Sequence, residues 1–166
     1  MASDEALMLD LRRGSRDAFE ELFARYRDAI YGFFRRRIPA DGRAEDLTQE
    51  TFLAVLAAAH RYEPRATVRS YLFGIAFHLL SSERRKQERE APAIAEPAAT
   101  PVLDESLWLR EALSKLDATE REMLMLREYE QLSYGEIAAL LKIPVNTVRS
   151  RLFRARMALK ALLQEA

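Results

Sequence analysis

The chain has 166 residues and balances 26 lysines and arginines against 26 aspartates and glutamates, so its formal net charge is zero. Its 49% of hydrophobic residues and its few glycines and prolines exclude a disordered or collagen-like chain, and its length fits one domain or two small ones. The absence of cysteine excludes disulfide scaffolds, thiol catalysis and cysteine-based metal sites. An acidic start and the lack of a long apolar run predict no signal peptide and no membrane insertion, and hence a cytoplasmic location.

Apolar residues recur at helical spacing along the chain, and no stretch alternates as a half-buried strand would, so the fold is predicted to be all-α. In the first half the pattern predicts four helices, at about residues 5–13, 15–39, 44–60 and 68–86. Ser15 is placed to cap the second helix, and Pro64 interrupts the chain before the fourth. Residues 1–90 are therefore predicted to close one small helical domain.

The composition changes at residue 91, where alanine and proline become dominant. Residues 91–102 are predicted to be a flexible, semi-extended linker because a proline-rich segment favours extended backbone. A second small helical domain is then predicted over residues 103–166. Its helices are expected near residues 103–116, 119–130, 133–141 and 144–163.

The last two predicted helices carry the most specific local signal. Ser133 and Glu136 form the S-x-x-E pattern of a capping box, and Pro144 suits the first turn of the following helix. Two helices joined by about three residues make a helix-turn-helix. The second of them has an apolar stripe that is predicted to face the core, formed by Val145, Val148, Leu152, Ala155, Leu159 and Leu162.

The other positions of that last helix are basic. Between Lys142 and Lys160 there are six basic residues and no acidic ones. A basic run alone is typical of a solvated helix face, but the capping box, the short turn and the proline favour a helix that enters the major groove of DNA. The predicted DNA contacts are Thr147, Arg149, Ser150, Arg151, Phe153, Arg154 and Arg156.

Three segments resemble one protein family. Residues 140–156 (LLKIPVNTVRSRLFRAR) resemble the recognition segment of region 4 in extracytoplasmic-function (ECF) sigma factors of bacterial RNA polymerase. Residues 45–52 (EDLTQETF) resemble the polymerase-binding helix of region 2, and residues 71–76 (YLFGIA) are similar to the promoter-melting segment. The resemblance implies a sigma factor that needs no cofactor or metal, is not an enzyme, and acts in a stress or envelope response under an anti-sigma factor.

The start of the third helix is acidic, which is favourable at a helix N-terminus. The resemblance implies that this helix grips a basic coiled coil on the clamp of the polymerase beta-prime subunit. The implied polymerase-binding residues are Asp46, Leu47, Gln49 and Glu50. Alternatively, the acidic residues serve only to complement the helix dipole and to keep the chain soluble. A carboxylate metal site or acid–base site is disfavoured because no histidine follows at a ligand spacing.

The segment from His60 to Arg89 interleaves basic and aromatic residues, as the binding of a single DNA strand requires. The residues expected to handle the opened minus-ten element are Arg61, Tyr62, Arg65, Arg69, His78, Arg84 and Arg85. Phe73 and Phe77 are among the interleaved rings. Tyr71 lies on the apolar stripe of its helix and is predicted to belong to the core, so Tyr62 and the adjoining loop are expected to form the DNA face.

The sequence departs from the family pattern at two places of interest. Tyr71-Leu72 stands where Trp-Leu is usual, and Phe77-His78 stands where the family commonly has Arg-Asn. The position of His78 lies near the family's pocket for a flipped-out promoter base, so His78 bears on which base is preferred there. A structural or merely exposed histidine is the alternative.

Two other functions fit parts of the pattern. A helix-turn-helix regulator with an N-terminal sensing or dimerisation module would bind duplex DNA tightly without polymerase. A helical enzyme using the carboxylates of residues 41–50 would show metal-dependent turnover. The zero net charge does not decide between them, because it sums an acidic third helix, an acidic run over residues 104–136 and two basic segments.

Overall fold

The computed structural model describes residues 1–39, 42–90 and 107–165, and over these ranges the regular structure is helical without a strand. The chain divides into two compact units, residues 1–99 and 100–166. The prediction of an all-α chain with two helical domains is confirmed, while the predicted linker lies outside the described residues. Among the helices described, none is long and apolar enough to cross a membrane.

The first unit is built from four helices and a short 3₁₀ turn. These are α1 (Asp4–Arg12), α2 (Arg16–Arg35), α3 (Arg43–Ala58), the 3₁₀ turn (Ala59–Arg61) and α4 (Val68–Glu90). Ser15 caps α2 as predicted, because its side chain accepts a hydrogen bond from the Ala18 amide. Helix α3 ends two residues before the predicted boundary, where the backbone tightens into the 3₁₀ turn.

The core of the first unit forms around α2. Its fully buried large side chains are Met8, Leu22, Ile30, Phe33, Phe34, Ile38, Leu47, Leu72, Phe73 and Leu80. Phe33 meets Phe34 edge-on at a centroid distance of 5.2 Å and contacts Phe73 at 5.7 Å. Each such side chain contributes about 1.5–3 kcal/mol by leaving water, so helices α1 to α4 are held together mainly by apolar burial.

The buried face of α4 differs from the predicted stripe. The residues that pack inward are Val68, Leu72, Phe73, Ala76 and Leu80. Tyr71, Ile75 and Leu79 are only half-buried, although they share the stripe with Leu72 and Ala76. Phe73, expected among the DNA-facing rings, is instead fully buried against α2. One flank of the apolar stripe is therefore left open to a surface cleft.

The second unit contains α5 (Leu107–Lys115), α6 (Ala118–Glu128), α7 (Tyr134–Leu141) and α8 (Val145–Gln164). Asp117 caps α6 by accepting hydrogen bonds from the amides of Thr119 and Glu120. The core of this unit includes Ala112, Leu113, Leu116, Met123, Leu126, Leu132, Ile137, Val148, Leu152 and Ala155. Helix α8 contributes the last three of these and packs against α5, α6 and α7.

The predicted capping box is present at the start of α7. The Ser133 side chain accepts from the Glu136 amide at 3.1 Å, and the Glu136 carboxylate accepts from the Ser133 amide at 2.9 Å. Lys142 ends α7 in a left-handed conformation with φ of 58°. Pro144 is the residue before the first turn of α8 rather than within it. This short turn sets the direction in which α8 leaves α7.

Candidate functional site

The exposed face of α3 is acidic and continues into an apolar patch. The side chains of Asp46 and Glu50 are 62% and 45% exposed, and Gln49 is also exposed. Helical spacing places these residues on one side together with Leu53, which is 63% exposed and was not predicted. Leu47, which the resemblance implied as a polymerase-binding residue, is 1% exposed and points into the core, where it supports the face from below.

Arg43 organises this acidic face. Its guanidinium lies 3.4 Å from a carboxylate oxygen of Asp46 and 3.3 Å from one of Glu50. It also donates to both carboxylate oxygens of Glu83 on α4, and these hydrogen bonds hold the pKa of Glu83 below its usual value. No local pattern could have predicted this link, because Glu83 lies forty residues further along the chain.

A groove of about 360 Å³ lies beside the acidic face, between α2 and α3. Its walls include the rings of Phe23 and Tyr31 from α2 and the side chains of Glu45 and Gln49 from α3. Gln49 therefore borders both the acidic face and the groove. A partner that docks on α3 would meet polar and aromatic groups together at this edge.

A larger cleft of about 900 Å³ opens on the first unit, between the end of α3, the 3₁₀ turn, the following loop and α4. It brings together four of the residues expected to handle the minus-ten element, namely Arg61, Tyr62, Arg65 and His78. The remaining lining is mostly small or apolar and includes Ala57, Ala58, Ser70, Tyr71, Gly74, Ile75 and Leu79. Arg61 and Arg65 thus border a space with an aromatic and aliphatic wall, and Glu63, paired with Arg65, also lies in the lining.

The structure buries Tyr62, which was expected at the surface, and leaves Tyr71, which was expected in the core, only half-buried at the cleft. Tyr62 is 3% exposed, and burial raises the pKa of its hydroxyl, with the Glu5 carboxylate adding to the effect. Its ring meets the half-buried Tyr71 ring edge-on at 5.3 Å. Tyr62, expected on the DNA face, is therefore turned inward in the structure, because the chain after the 3₁₀ turn folds this ring toward the core. Tyr71 is the ring that borders the open space.

The other three residues expected at the minus-ten element lie apart from the cleft. Arg69 is half-buried, and its guanidinium lies over the rings of Tyr26 and Phe73 at 5.7 and 5.5 Å. Arg69 therefore packs on these two rings, and its DNA contact stays a prediction. Arg84 and Arg85 are exposed near the end of α4, about two turns beyond the cleft.

Helix α8 divides its faces largely as predicted. Val148, Leu152 and Ala155 are fully buried, whereas Val145 is 37% exposed and so lies outside the core that the stripe predicted. Helical geometry places Ser150, Phe153 and Arg154 on the ridge opposite the buried side chains. Of the other four predicted contacts, Arg149 and Arg156 lie on one flank, and Thr147 and Arg151 lie on the other.

Arg156 is engaged within the second unit. Its guanidinium lies 3.1 Å from the Glu128 carboxylate and 3.2 Å from the Tyr134 hydroxyl, and it lowers the pKa of that hydroxyl. It therefore joins α8 to α6 and α7. Asn146, which was not predicted as a contact, is exposed in the first turn of α8 and accepts from Arg149 at 3.4 Å.

Comparison with known proteins agrees with this architecture. Residues 22–90 match the model of sigma-70 region 2, and residues 106–159 match that of sigma-70 region 4. The chain is 37% identical over 163 residues to RNA polymerase sigma factor CarQ of Myxococcus xanthus, covering 93% of this chain and 94% of that protein. It is 30% identical over 180 residues to the ECF RNA polymerase sigma-E factor of Salmonella typhimurium, covering 95% and 92%.

Two solved structures share the fold over most of the chain. CnrH, determined in complex with the cytosolic domain of CnrY, superposes with a TM-score of 0.73 at 28% identity and covers 99% of both chains. The sigma factor RpoE of Bartonella quintana, determined with the anti-sigma factor NepR, gives a TM-score of 0.71 at 28% identity, covering 88% of this chain and 96% of that one.

The fold and the two matched regions define a bacterial transcription initiation factor that works with RNA polymerase rather than an enzyme. More narrowly, the chain belongs to the extracytoplasmic-function sigma factors of the sigma-70 family. The alternatives of a sensing helix-turn-helix regulator and of a helical enzyme are thereby set aside.

Proposed function

We propose that the first unit docks the acidic face of α3 on a basic coiled coil of the polymerase clamp, in the beta-prime subunit. Asp46, Gln49 and Glu50 would make the polar contacts, and the exposed Leu53 would add apolar contact beside them. The support is the coexistence of exposed carboxylates and an exposed leucine on one helix side. Charge complementarity of this kind accelerates docking and weakens with added salt.

The docking proposal is tested by charge reversal. The double variant Asp46→Arg with Glu50→Arg is expected to abolish co-purification with core polymerase. A matched control is Asp10→Arg with Glu20→Arg, which makes the same charge change at exposed positions of α1 and α2. Retained binding by the first variant would move the polymerase interface away from α3.

We propose that the cleft of the first unit captures unpaired bases of the minus-ten element. The observation that carries this proposal is a basic border, Arg61 and Arg65, beside the open Tyr71 ring. Stacking of a base on an aromatic ring contributes about 1–3 kcal/mol, which offsets the cost of unstacking as the duplex opens. His78, exposed on the α4 wall, would meet the captured base.

We propose that α8 enters the major groove of the minus-thirty-five element. The early residues of the helix, Arg149 to Arg154, would contact bases and phosphates, since the N-terminal part of a recognition helix reaches base edges. Arg156 would contribute through the position of α8 as well as through its charge. As a sigma factor, the protein would hold promoter DNA weakly by itself and tightly with core polymerase.

The test of the DNA proposal starts from in vitro transcription with core enzyme on a genomic library, followed by mapping of start sites. On a promoter found in this way, Arg149→Ala, Arg151→Ala and Arg154→Ala should each lower transcription and leave polymerase binding intact. Lys115→Ala removes an exposed charge from α5 and serves as the control. Unchanged transcription would remove α8 from the proposed promoter contacts.

We propose that an anti-sigma factor controls this protein in a stress or envelope response in the cytoplasm. The support comes from the RpoE of Bartonella quintana, which was determined bound to an anti-sigma factor and shares the fold of this chain. Because the chain has no cysteine, redox or thiolate-zinc sensing would reside in that partner. Pull-down with the tagged full chain, followed by inhibition of transcription by the captured protein, tests the proposal.

A further inference from the structure

Helix α1 lies outside the segment that matches sigma-70 region 2, which begins at residue 22. It is nevertheless anchored at its first turn, where Asp4 accepts hydrogen bonds from the Tyr26 hydroxyl and from Arg25 on α2. Met8 is fully buried and Leu11 nearly so. The helix is therefore fixed on the first unit by polar contacts at one end and by apolar packing along its length.

The last residue of α1 contacts the edge of the cleft. The Arg12 guanidinium donates a hydrogen bond of 3.0 Å to the backbone carbonyl of Tyr62, fifty residues further along the chain. Tyr62 is the first residue after the 3₁₀ turn and forms its C-terminal cap. The five residues that follow, 63–67, are all exposed. Arg12 thus holds the chain at the point where the exposed loop begins.

The contacts within that loop are local. The Arg65 amide donates to the Glu63 carbonyl at 2.9 Å, and the Arg65 and Glu63 side chains form an ion pair. Thr67 accepts from the Ser70 amide at the start of α4. These contacts shape the loop but do not join its start to α1. The loop start is held by the buried Tyr62 ring and by the hydrogen bond from the Tyr62 amide to the Ala59 carbonyl at 3.1 Å, and the hydrogen bond from Arg12 ties it to α1.

We infer that Arg12 is a positioning residue for the promoter-opening cleft: by holding the Tyr62 carbonyl, it fixes where Arg61 and Arg65 stand beside the Tyr71 ring. The inference rests on the proposed capture of minus-ten bases in this cleft. Arg12 itself is assigned no contact with DNA. Its effect is transmitted through the backbone between the 3₁₀ turn and α4.

The first experiment measures hydrogen exchange of the full chain without DNA. Arg12→Ala should speed exchange of the Tyr62 and Arg65 amides, which donate to the Ala59 and Glu63 carbonyls, on the order of tenfold, the effect expected when a charge-assisted hydrogen bond is lost. Arg13→Ala is the matched control, because this neighbouring arginine is exposed and pairs only loosely with Asp10 at 4.0 Å. Equal exchange in the two variants would overturn the inference.

The second experiment uses holoenzyme on a mapped promoter and reads permanganate reactivity of the minus-ten thymines. Arg12→Ala should lower this reactivity severalfold, while affinity for core polymerase and duplex binding at the minus-thirty-five element stay unchanged. A general loss of stability would reduce all three readouts together. Arg12→Lys should restore most of the reactivity because its ammonium also donates to a carbonyl.

Comparison of Arg12→Met with Arg12→Lys separates loss of the hydrogen bond from a folding defect in the alanine variant. Arg12→Met keeps an unbranched side chain without a donor, so it should behave like Arg12→Ala, whereas Arg12→Lys should not. Equal reactivity in the methionine and lysine variants would overturn the inference. The double variant Arg61→Ala with Arg65→Ala tests the cleft directly. If it leaves permanganate reactivity unchanged, the minus-ten proposal fails, whatever the hydrogen-exchange result.

Discussion

Arg43 on α3 donates to both carboxylate oxygens of Glu83 on α4, at 2.9 and 3.0 Å. The Glu83 side chain is only 10% exposed, so the pair is better shielded from water than the contacts of Arg43 with Asp46 and Glu50. Bidentate pairing also fixes the direction of the guanidinium. The acidic face of α3 and the polar end of α4 are consequently joined through one side chain.

The first prediction concerns the dependence of stability on pH. Arg43 lowers the pKa of Glu83 in the folded state. The ionised carboxylate therefore stabilises the fold in full at pH values above the pKa of the unfolded chain, near 4.5. That contribution is lost as the pH falls through the folded pKa. Glu83→Gln should lower the free energy of unfolding at neutral pH by about 1 kcal/mol and flatten its decline in acid.

Chemical denaturation of the full chain between pH 3 and pH 7 measures this effect. Glu88→Gln removes an exposed carboxylate from the same helix and is the matched control. Identical pH profiles for the two variants would show that the Arg43–Glu83 pair contributes nothing to stability.

The second prediction concerns Tyr62. Its hydroxyl is buried, and no hydrogen-bond partner for it is present among the described residues. Tyr62→Phe should therefore raise the free energy of unfolding by about 1 kcal/mol while it keeps the edge-on contact with Tyr71. Promoter opening should be unaffected by this change and weakened by Tyr71→Ala. Thermal unfolding and permanganate footprinting separate the two effects, and loss of opening in Tyr62→Phe would return this tyrosine to the DNA face.

The third prediction concerns Gly74, a glycine in the interior of α4 that borders the cleft. A Cβ built there meets nothing within 4 Å, so Gly74→Ala should raise stability by about 1 kcal/mol through helix propensity. The added methyl group reduces the space for a base, and promoter opening should fall. Gly135→Ala in α7 is the control that changes a helical glycine away from the cleft. Equal opening in both variants would contradict a role for the cleft volume.

The fourth prediction concerns the capping box of α7. Ser133→Ala removes the acceptor for the Glu136 amide and should destabilise the second unit by about 1 kcal/mol. Ser114→Ala is the control, because that hydroxyl is exposed and bonds only to the Glu111 carbonyl of its own helix. Hydrogen exchange of α7 amides measures the difference. Similar exchange in both variants would show that Tyr134 to Leu141 remain helical without the cap.

Local chemistry predicted much of the fold. Capping by Ser15 and Ser133 follows from side chains that reach amides three residues away, so sequence spacing contains the information needed. The buried face of α8 follows from helical periodicity in the same way at Val148, Leu152 and Ala155, whereas Val145 is exposed and Leu159 and Leu162 are only half-buried. Structural features that depend on residues close together in the chain could thus be predicted from the sequence.

Features that depend on packing between residues far apart in the chain could not be predicted from the sequence. Tyr62 follows a 3₁₀ turn, where helical periodicity no longer indicates a direction, and contacts with Tyr71 and α1 bury it. Arg69 was expected at DNA because it is basic, yet its guanidinium covers the rings of Tyr26 and Phe73. In each case the deciding neighbour is brought close only when separate helices pack.

The division of α8 into a buried and an exposed side has an evolutionary consequence. Val148, Leu152 and Ala155 hold the helix to its unit, while Ser150, Phe153 and Arg154 on the opposite ridge share none of that burial. Substitutions on the ridge can therefore accumulate without loss of folding. Under the proposed reading of promoter DNA by α8, a duplicated copy of such a gene would acquire a new set of target sequences by a few exchanges on this ridge, and the two copies would coexist without sharing promoters.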